Sequence, residues 1–119
     1  MQRKPTQNTR GPNADEKRFQ AWLKEQRCCV TRKPGPSIVH HCEGATFKHN
    51  KVLVGHWFCI PLSQEADDII THGSRRKFRE LYGPQSDLWK KVMYFYLENE
   101  GRFRAAPCDV FDAIMDWGR

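Results

Sequence analysis

Two adjacent histidines, His40 and His41, directly follow the β-branched residues Ile38 and Val39. Neighbouring side chains on a β-strand point to opposite faces of that strand. The end of such a strand can therefore give one imidazole to a metal ion and direct the other at a water molecule. The ion would neutralise charge on a phosphate, and the second imidazole would act as general base. The alternative is a structural pair with one imidazole in the core and one exposed.

The segment between Val30 and His72 reads as strand, loop, strand and helix. SIVHH and KVLVG are short β-branched runs bounded by breakers, and the apolar stretch HWFCIPL ends near Pro61. Helical character returns at about Ser63 to Thr71, with Ser63 as the expected N-cap. This order is typical of a ββα-metal, or HNH, nuclease site, where one divalent ion lies between a hairpin and a helix.

Three motifs within residues 27–84 also carry a family resemblance. They read CCVTRKPGPSIVHHCEG, VLVGHWFCIPLSQEADD and THGSRRKFRELYG. This arrangement resembles phage-encoded HNH-type proteins of the recombination-enhancement, RecA-dependent nuclease (Ref-like) kind. The resemblance implies a metal-dependent DNA endonuclease that acts in phage recombination or DNA processing.

The resemblance assigns roles to four residues. His40 corresponds to a metal-ligating histidine and His41 to the general base. Asp67 falls where the family helix presents a metal-binding histidine, and His72 corresponds to the histidine of the His-Gly motif. Divalent Mg²⁺ or Mn²⁺ is the expected cofactor, with Zn²⁺ as an alternative.

Three positions of the predicted helix depart from the family pattern. Ser63 replaces a cysteine, while Ala66 and Asp67 replace histidines. An aspartate is a hard oxygen ligand that suits Mg²⁺ or Mn²⁺, so the change shifts metal preference. The alternative is a catalytically inactive HNH scaffold that binds nucleic acid or protein.

The charge distribution favours an anionic partner. The chain has 119 residues and a net charge of +6, and its basic segments flank a slightly acidic, histidine-rich middle. We expect the side chains of Arg75, Arg76, Lys77 and Arg79 to contact DNA phosphates, although they would also suit a solvated helix face. A host recombinase filament is a further expected partner through the resemblance. His49 and His56 are expected to be structural or surface residues.

The five cysteines form no metal-binding pattern. Cys28 is followed three residues later by Thr31, and Cys29 by Arg32, so neither begins a Cys-x-x-Cys pair. A zinc knuckle needs four ligands held in a tetrahedron. The sequence therefore predicts no structural zinc knuckle, and buried or inert thiols instead of a disulfide framework.

Composition and breakers set the domain organisation. Residues 1–12 are rich in Pro, Gly, Asn and Thr and predict a flexible basic arm, and residues 13–119 predict a single HNH-like domain with a C-terminal helical extension. No signal peptide or membrane span is apparent, so we expect a cytoplasmic protein, in the host cell if it is phage-encoded. The sequence does not set an oligomeric state.

The expected fold class is α+β: a small β-hairpin and helix, flanked by an N-terminal helix and a helical C-terminal half. The N-terminal helix is predicted over about 14–27, with Asn13 as cap and Glu16 completing a capping box. Ser74 is expected to cap RRKFRELYG, Ser86 to cap DLWKKVMYFYLENEG, and Pro107 to open CDVFDAIMDWG. The side chains predicted to face the core in these three helices are Phe78, Leu81, Tyr82, Leu88, Val92, Phe95, Val110, Phe111, Ile114 and Trp117.

Overall fold

The computed structural model describes residues 11–44, 46–101 and 105–118. Over these residues the chain is an α+β protein with five α-helices and two small antiparallel sheets. The predicted arm falls largely on residues 1–10, which lie outside the described residues. The helices are α1 (Ala14–Lys24), α2 (Gln64–Asp68), α3 (Arg75–Tyr82), α4 (Gln85–Glu100) and α5 (Cys108–Trp117). The strands are β1 (Ile38–His41), β2 (Lys48–His49), β3 (Val52–Leu53) and β4 (Cys59–Leu62).

Strand pairing joins segments that are distant in the sequence. β1 pairs with β4, so that His40 lies opposite Ile60 and His41 opposite Cys59. The run that begins KVLVG pairs instead with β2, in a separate two-stranded sheet. The histidine pair thus ends a strand whose partner is the CIPL segment, directly before α2.

Side-chain caps begin three helices where the sequence predicts them. Asn13 and Glu16 form a capping box, in which each backbone N–H donates to the other side chain at 2.8 Å. The hydroxyl of Ser63 accepts from the Ala66 N–H at 3.2 Å, and that of Ser74 accepts from the Lys77 N–H at 3.0 Å. These three caps are confirmed.

The predicted cap at Ser86 is wrong. Helix α4 begins one residue earlier, at Gln85, after Pro84. Ser86 lies inside the first turn and is 2% exposed. Pro84 occupies the N-cap position in an extended conformation, which its fixed φ favours, and no serine side chain caps the helix at this end.

Two helices are shorter than predicted. α1 ends at Lys24 instead of residue 27, because the Ser37 backbone N–H and hydroxyl bind the carbonyls of Lys24 and Gln26 at 2.8 and 2.6 Å. These bonds turn the chain from the helix toward β1. α2 ends at Asp68 and continues as a π-helical turn, Ile69–Gly73.

Aromatic and aliphatic side chains from the helices and strands form the core. Phe19, Trp89 and Tyr96 are fully buried, and Trp57 and Phe58 are 3% and 1% exposed. The Trp89 Nε1–H donates to the Trp57 carbonyl at 2.7 Å. This bond satisfies the polar end of a large buried side chain.

Three large apolar side chains that were predicted to face the core are instead exposed. Leu81, Phe95 and Trp117 are 54%, 50% and 37% exposed. In α4 the fully buried stripe contains Trp89, Met93 and Tyr96. Val92 of the predicted stripe is also buried, at 9% exposed, whereas Phe95 is not, so the helix is rotated relative to the stripe that the sequence suggested.

The cysteines divide between core and surface. Cys28, Cys42 and Cys59 are buried, Cys29 is partly buried and Cys108 is exposed, and all five are free thiols. None of the described helices is long and apolar enough to span a membrane.

Candidate active site

His40 meets Asp67 at the junction of β1 and α2. The His40 Nδ1 atom lies 3.0 Å from Asp67 Oδ1, and the two side chains are 13% and 17% exposed. The β1–β4 pairing and the Ser63 cap together fix this contact, since they set where α2 starts relative to the strand. The predicted approach of His40 to the helix that carries Asp67 is present.

Both ring nitrogens of His40 face oxygen atoms. Nε2 lies 3.2 Å from the side-chain oxygen of Gln85, at the start of α4. A neutral imidazole carries one N–H and can donate to only one of these oxygens. The arrangement is satisfied by a second ring proton, by a Gln85 amide turned to donate, or by a cation between His40 Nδ1 and Asp67 Oδ1. The Thr71 hydroxyl donates to the other Asp67 oxygen at 3.3 Å, which restrains the carboxylate.

His41 contacts a different group of residues. Its Nε2 lies 3.1 Å from Nδ1 of His56, and the two rings are nearly perpendicular, with centroids 5.2 Å apart. The side-chain nitrogen of Gln20 lies 3.5 Å from the same His56 nitrogen. Burial lowers the pKa of His41, and the neighbouring His56 and His40 lower it further. His41 is therefore neutral at neutral pH and has a lone pair with which to accept a proton.

His72 lies apart from the His40–Asp67 contact. Its side chain is 75% exposed, and its ion-pair partner is Asp68, at 3.8 Å. In the described part of the chain, no group of three or more His, Cys, Asp or Glu side chains is arranged to hold a metal ion. The predicted ligand set of His40, Asp67 and His72 is therefore not brought together, because the π-helical turn Ile69–Gly73 leaves the His72 side chain at the surface.

The remaining pair, His40 and Asp67, would supply one imidazole nitrogen and one carboxylate oxygen to a hydrated ion. Adjacent ligands on an octahedral Mg²⁺ with bonds of about 2.1 Å lie about 3.0 Å apart. The His40 Nδ1 to Asp67 Oδ1 distance is 3.0 Å. Mg²⁺ commonly keeps several waters and binds few protein ligands together with substrate phosphate. Zn²⁺ fits less well, since zinc sites use three or four protein ligands.

The basic residues of α3 are split between two hollows. Arg75, Arg76 and Arg79 line a cavity of about 420 Å³, which also includes Gln85. Lys77 lines a separate hollow beside Glu80. Arg76 lines both hollows, so three of the four predicted phosphate contacts share one cavity, and Lys77 lies beside Arg76 in the other.

Ion pairs hold two of the three arginines. The Arg75 guanidinium binds Glu43 at 2.7 Å, and the Glu43 side chain is only 16% exposed. Arg76 lies 3.5 Å from Glu80 on the same helix, where both side chains are exposed. No acidic partner of Arg79 is found within the described residues.

Sequence reasoning missed Gln85 and His56. His56 was expected to be structural or on the surface, and the structure places it against His41. Gln85 follows Pro84 at a helix start and resembles an ordinary solvated residue in the sequence. Neither carries a local signal, because each reaches the histidine pair through non-local packing. His49, in contrast, bonds Asp116 at 2.8 Å and joins the small sheet to α5, which is a structural role.

Comparison with known proteins identifies the family. The fold and site are those of an α+β protein with a histidine-bearing strand beside an acidic helix. The family DUF968, a protein family of unknown function, matches residues 3–99, and the chain belongs to this family. No curated protein and no solved structure matches the chain.

Proposed function

We propose that the protein is a metal-dependent DNA endonuclease of HNH type. The observation that carries the proposal is that the two adjacent histidines contact different groups of residues. His40 contacts Asp67 of the following helix, whereas His41 contacts His56 and stays neutral. A neutral imidazole as the acid–base group and an oxygen–nitrogen ligand pair for a metal ion are the two functions that hydrolysis of a phosphodiester requires.

His41 would act as the general base. When His41 Nε2–H donates to His56 Nδ1, the lone pair of His41 Nδ1 is free to accept a proton from water. The lowered pKa keeps this nitrogen unprotonated at neutral pH. His56 then fixes the tautomer and ring orientation of the base.

His40 Nδ1 and Asp67 Oδ1 would hold a Mg²⁺ or Mn²⁺ ion. When bound, the ion would stabilise negative charge on the phosphate. Thr71 keeps the Asp67 carboxylate in place through its second oxygen. Gln85 orients the His40 ring from the opposite side.

Arg75, Arg76 and Arg79 would hold the DNA backbone near this pair. Their cavity shares Gln85 with the His40 site, so a phosphate bound there would lie beside the ligand pair. Phosphate contacts position DNA without reading its sequence, so weak sequence preference is expected. The resemblance to recombination-enhancement nucleases extends the proposal to DNA within a host recombinase filament.

A nonenzymatic DNA-binding protein on the same scaffold is the second candidate. It is favoured by the lack of a three-ligand group within the described residues and by the two oxygen contacts of His40. In this case His40 would serve only to join β1, α2 and α4. The cavity of the arginines would still bind phosphates.

The test is nicking of supercoiled and single-stranded DNA with Mg²⁺ or Mn²⁺, with and without a recombinase filament. His41→Ala should lose about 10² to 10⁴ in rate, the usual contribution of a general base, and keep metal binding. His40→Ala should lose both cleavage and metal binding. His72→Gln is the matched control and should cut like the wild type, because His72 is exposed and outside the site. Wild-type protein that cuts nothing under these conditions would favour the nonenzymatic candidate.

A further inference from the structure

The cavity beside the His40 site is formed by four segments. These are the turn after β1, the exposed side of α3, the start of α4 and the end of α5. Its volume is about 420 Å³. Its lining includes Glu43, Arg75, Arg76, Arg79, Gln85 and Trp117.

The charges of this cavity favour an anion. Three arginines face one carboxylate, Glu43, which is already paired with Arg75 at 2.7 Å. The Arg76–Glu80 pair is exposed on both sides, and such surface pairs contribute little. A phosphate can therefore replace Glu80 at Arg76 at small cost, and Arg79 has no acidic partner within the described residues to displace.

Trp117 gives the same cavity an aromatic wall. Its side chain is 37% exposed, although it is among the largest apolar groups of the chain. Phe47 and Phe58 contact it edge to face, with ring centroids 5.3 and 5.7 Å away. These contacts fix the indole without covering it, so its exposed area is available beside the arginines.

A close backbone approach places this indole. A Cβ atom at Gly118 would lie 2.1 Å from Ser86 Oγ and 2.6 Å from Ser86 Cβ. Only glycine therefore lets the end of α5 pack against the buried Ser86 at the start of α4. The contact holds Trp117 at the cavity, next to the helix start that carries Gln85.

We propose that this cavity binds an unpaired segment of single-stranded DNA, with its phosphates on Arg75, Arg76 and Arg79 and a base stacked on Trp117. In a double helix the base faces are covered by neighbouring base pairs, whereas an unpaired base presents its face to an aromatic side chain. Cations beside an aromatic platform are the usual means of holding a single strand. Single-stranded DNA would be the substrate class of the proposed nuclease. This inference rests on the proposed function only for the cleavage step, because binding is measured separately.

Binding is tested without cleavage, in EDTA, with a fluorescently labelled oligothymidine of about 16 nucleotides and its duplex with oligoadenine. Wild type should bind the single strand more tightly than the duplex. Trp117→Leu, which keeps an apolar side chain against Phe47 and Phe58, should weaken single-strand binding about 5- to 150-fold, the range for loss of one stacked base. Duplex binding should change less than twofold. Arg79→Ala should lower the salt slope on the single strand by about 0.7 unit, the value for one phosphate contact.

Tryptophan fluorescence supplies an independent readout. Single-stranded DNA should quench the wild-type emission, and Trp117→Phe, which retains an aromatic ring in the core contacts, should lose that quenching. Trp22→Phe is the matched control and should keep it, since Trp22 lines a different groove. Equal affinity for single strand and duplex, or unchanged binding in a folded Trp117→Leu protein, would overturn the proposal. So would quenching that persists in Trp117→Phe. Strand-selective binding without any cleavage would support this proposal while refuting the nuclease.

Discussion

Replacement of Asp67 by asparagine tests the proposed metal site most directly. The change keeps the size of the side chain and one oxygen near His40, but it removes the negative charge that a divalent ion requires. If the 3.0 Å contact between His40 and Asp67 marks two adjacent ligands, the variant should lose metal-dependent stabilisation. If the contact is only a hydrogen bond, the amide oxygen can still accept it.

The expected size of this effect follows from binding linkage. An ion at about 100 times its Kd, bound only by the folded state, stabilises the protein by about 2.7 kcal/mol. With an unfolding entropy of about 2.1 cal/mol/K per residue, the 119-residue chain has about 250 cal/mol/K in total. The wild-type Tm should therefore rise by about 11 °C. A hundredfold weaker affinity in Asp67→Asn leaves about 0.4 kcal/mol, which is a rise of less than about 2 °C.

The assay is thermal unfolding followed by circular dichroism, with Mn²⁺ titrated against an EDTA baseline. Asp67→Asn is compared with wild type and with His72→Gln, which should retain the full shift because His72 lies outside the contact. An equal Tm rise in wild type and Asp67→Asn would locate the ion elsewhere. A wild-type Tm that does not respond to Mn²⁺ would refute the two-ligand site.

Three further predictions concern pH and local structure. Burial lowers the pKa of His41 in the folded state below its ordinary 6.5, so below pH 6.5 the unfolded chain binds more protons than the folded chain. The contribution of His41 to the free energy of unfolding should therefore be fully present above pH 6.5 and decrease as the pH falls toward the folded-state pKa. His41→Gln should reduce the loss of stability at acidic pH, measured by unfolding at several pH values. The cleavage rate of the wild type should fall at acidic pH with a midpoint below 6.5. A midpoint above 6.5 would exclude His41 as the base. Asn13→Ala breaks the capping box with Glu16 and should cost about 1 kcal/mol in denaturant unfolding; an unchanged midpoint would mean that the cap contributes nothing. Gly118→Ala should destabilise by about 1–3 kcal/mol through its clash with Ser86, and Ser86→Gly should relieve this loss in the double variant; simple additivity would contradict the clash.

Local signals in the sequence predicted the helix starts well. The caps at Asn13, Ser63 and Ser74 depend on side chains only three residues from the N–H groups that they accept. The same locality explains the error at Ser86, where a serine near a helix start suggested a cap. Its burial against α5 decides its position instead, and that contact joins segments far apart in the sequence.

Faces of helices were harder to predict than their starts. Leu88, Val92 and Phe95 form a reasonable apolar stripe, but Trp89, Met93 and Tyr96 have more area to bury and determine the rotation of α4. Phe95 is left half-exposed beside Trp22, at a ring-centroid distance of 5.8 Å. An amphipathic pattern with apolar residues on several sides does not specify which side faces the core.

The sequence predicted the part of the candidate site that depends on the order of the elements, but not the part that depends on packing between distant segments. The His40–Asp67 contact follows from the order of strand and helix, which the chain order indicates. His56 and Gln85 are added by packing of the 3₁₀ turn Gly55–Trp57 and of α4 onto the strand, which no sequence spacing encodes. His72 follows the helix closely in sequence, yet the π-helical turn directs it to solvent.

The register of β1 against β4 determines what a change of length in that strand would do. Successive side chains of a strand point to opposite faces of the sheet. A one-residue deletion before His40 would therefore move each later side chain of β1 to the opposite face. His41 would then take the place beside Asp67, and Cys42 would take the place beside His56. The ligand side of the strand would keep an imidazole, while the base side would hold a thiol. Adjacent histidines would thus keep an imidazole at the proposed metal ligand position in a slipped strand, whereas the proposed general base would be lost.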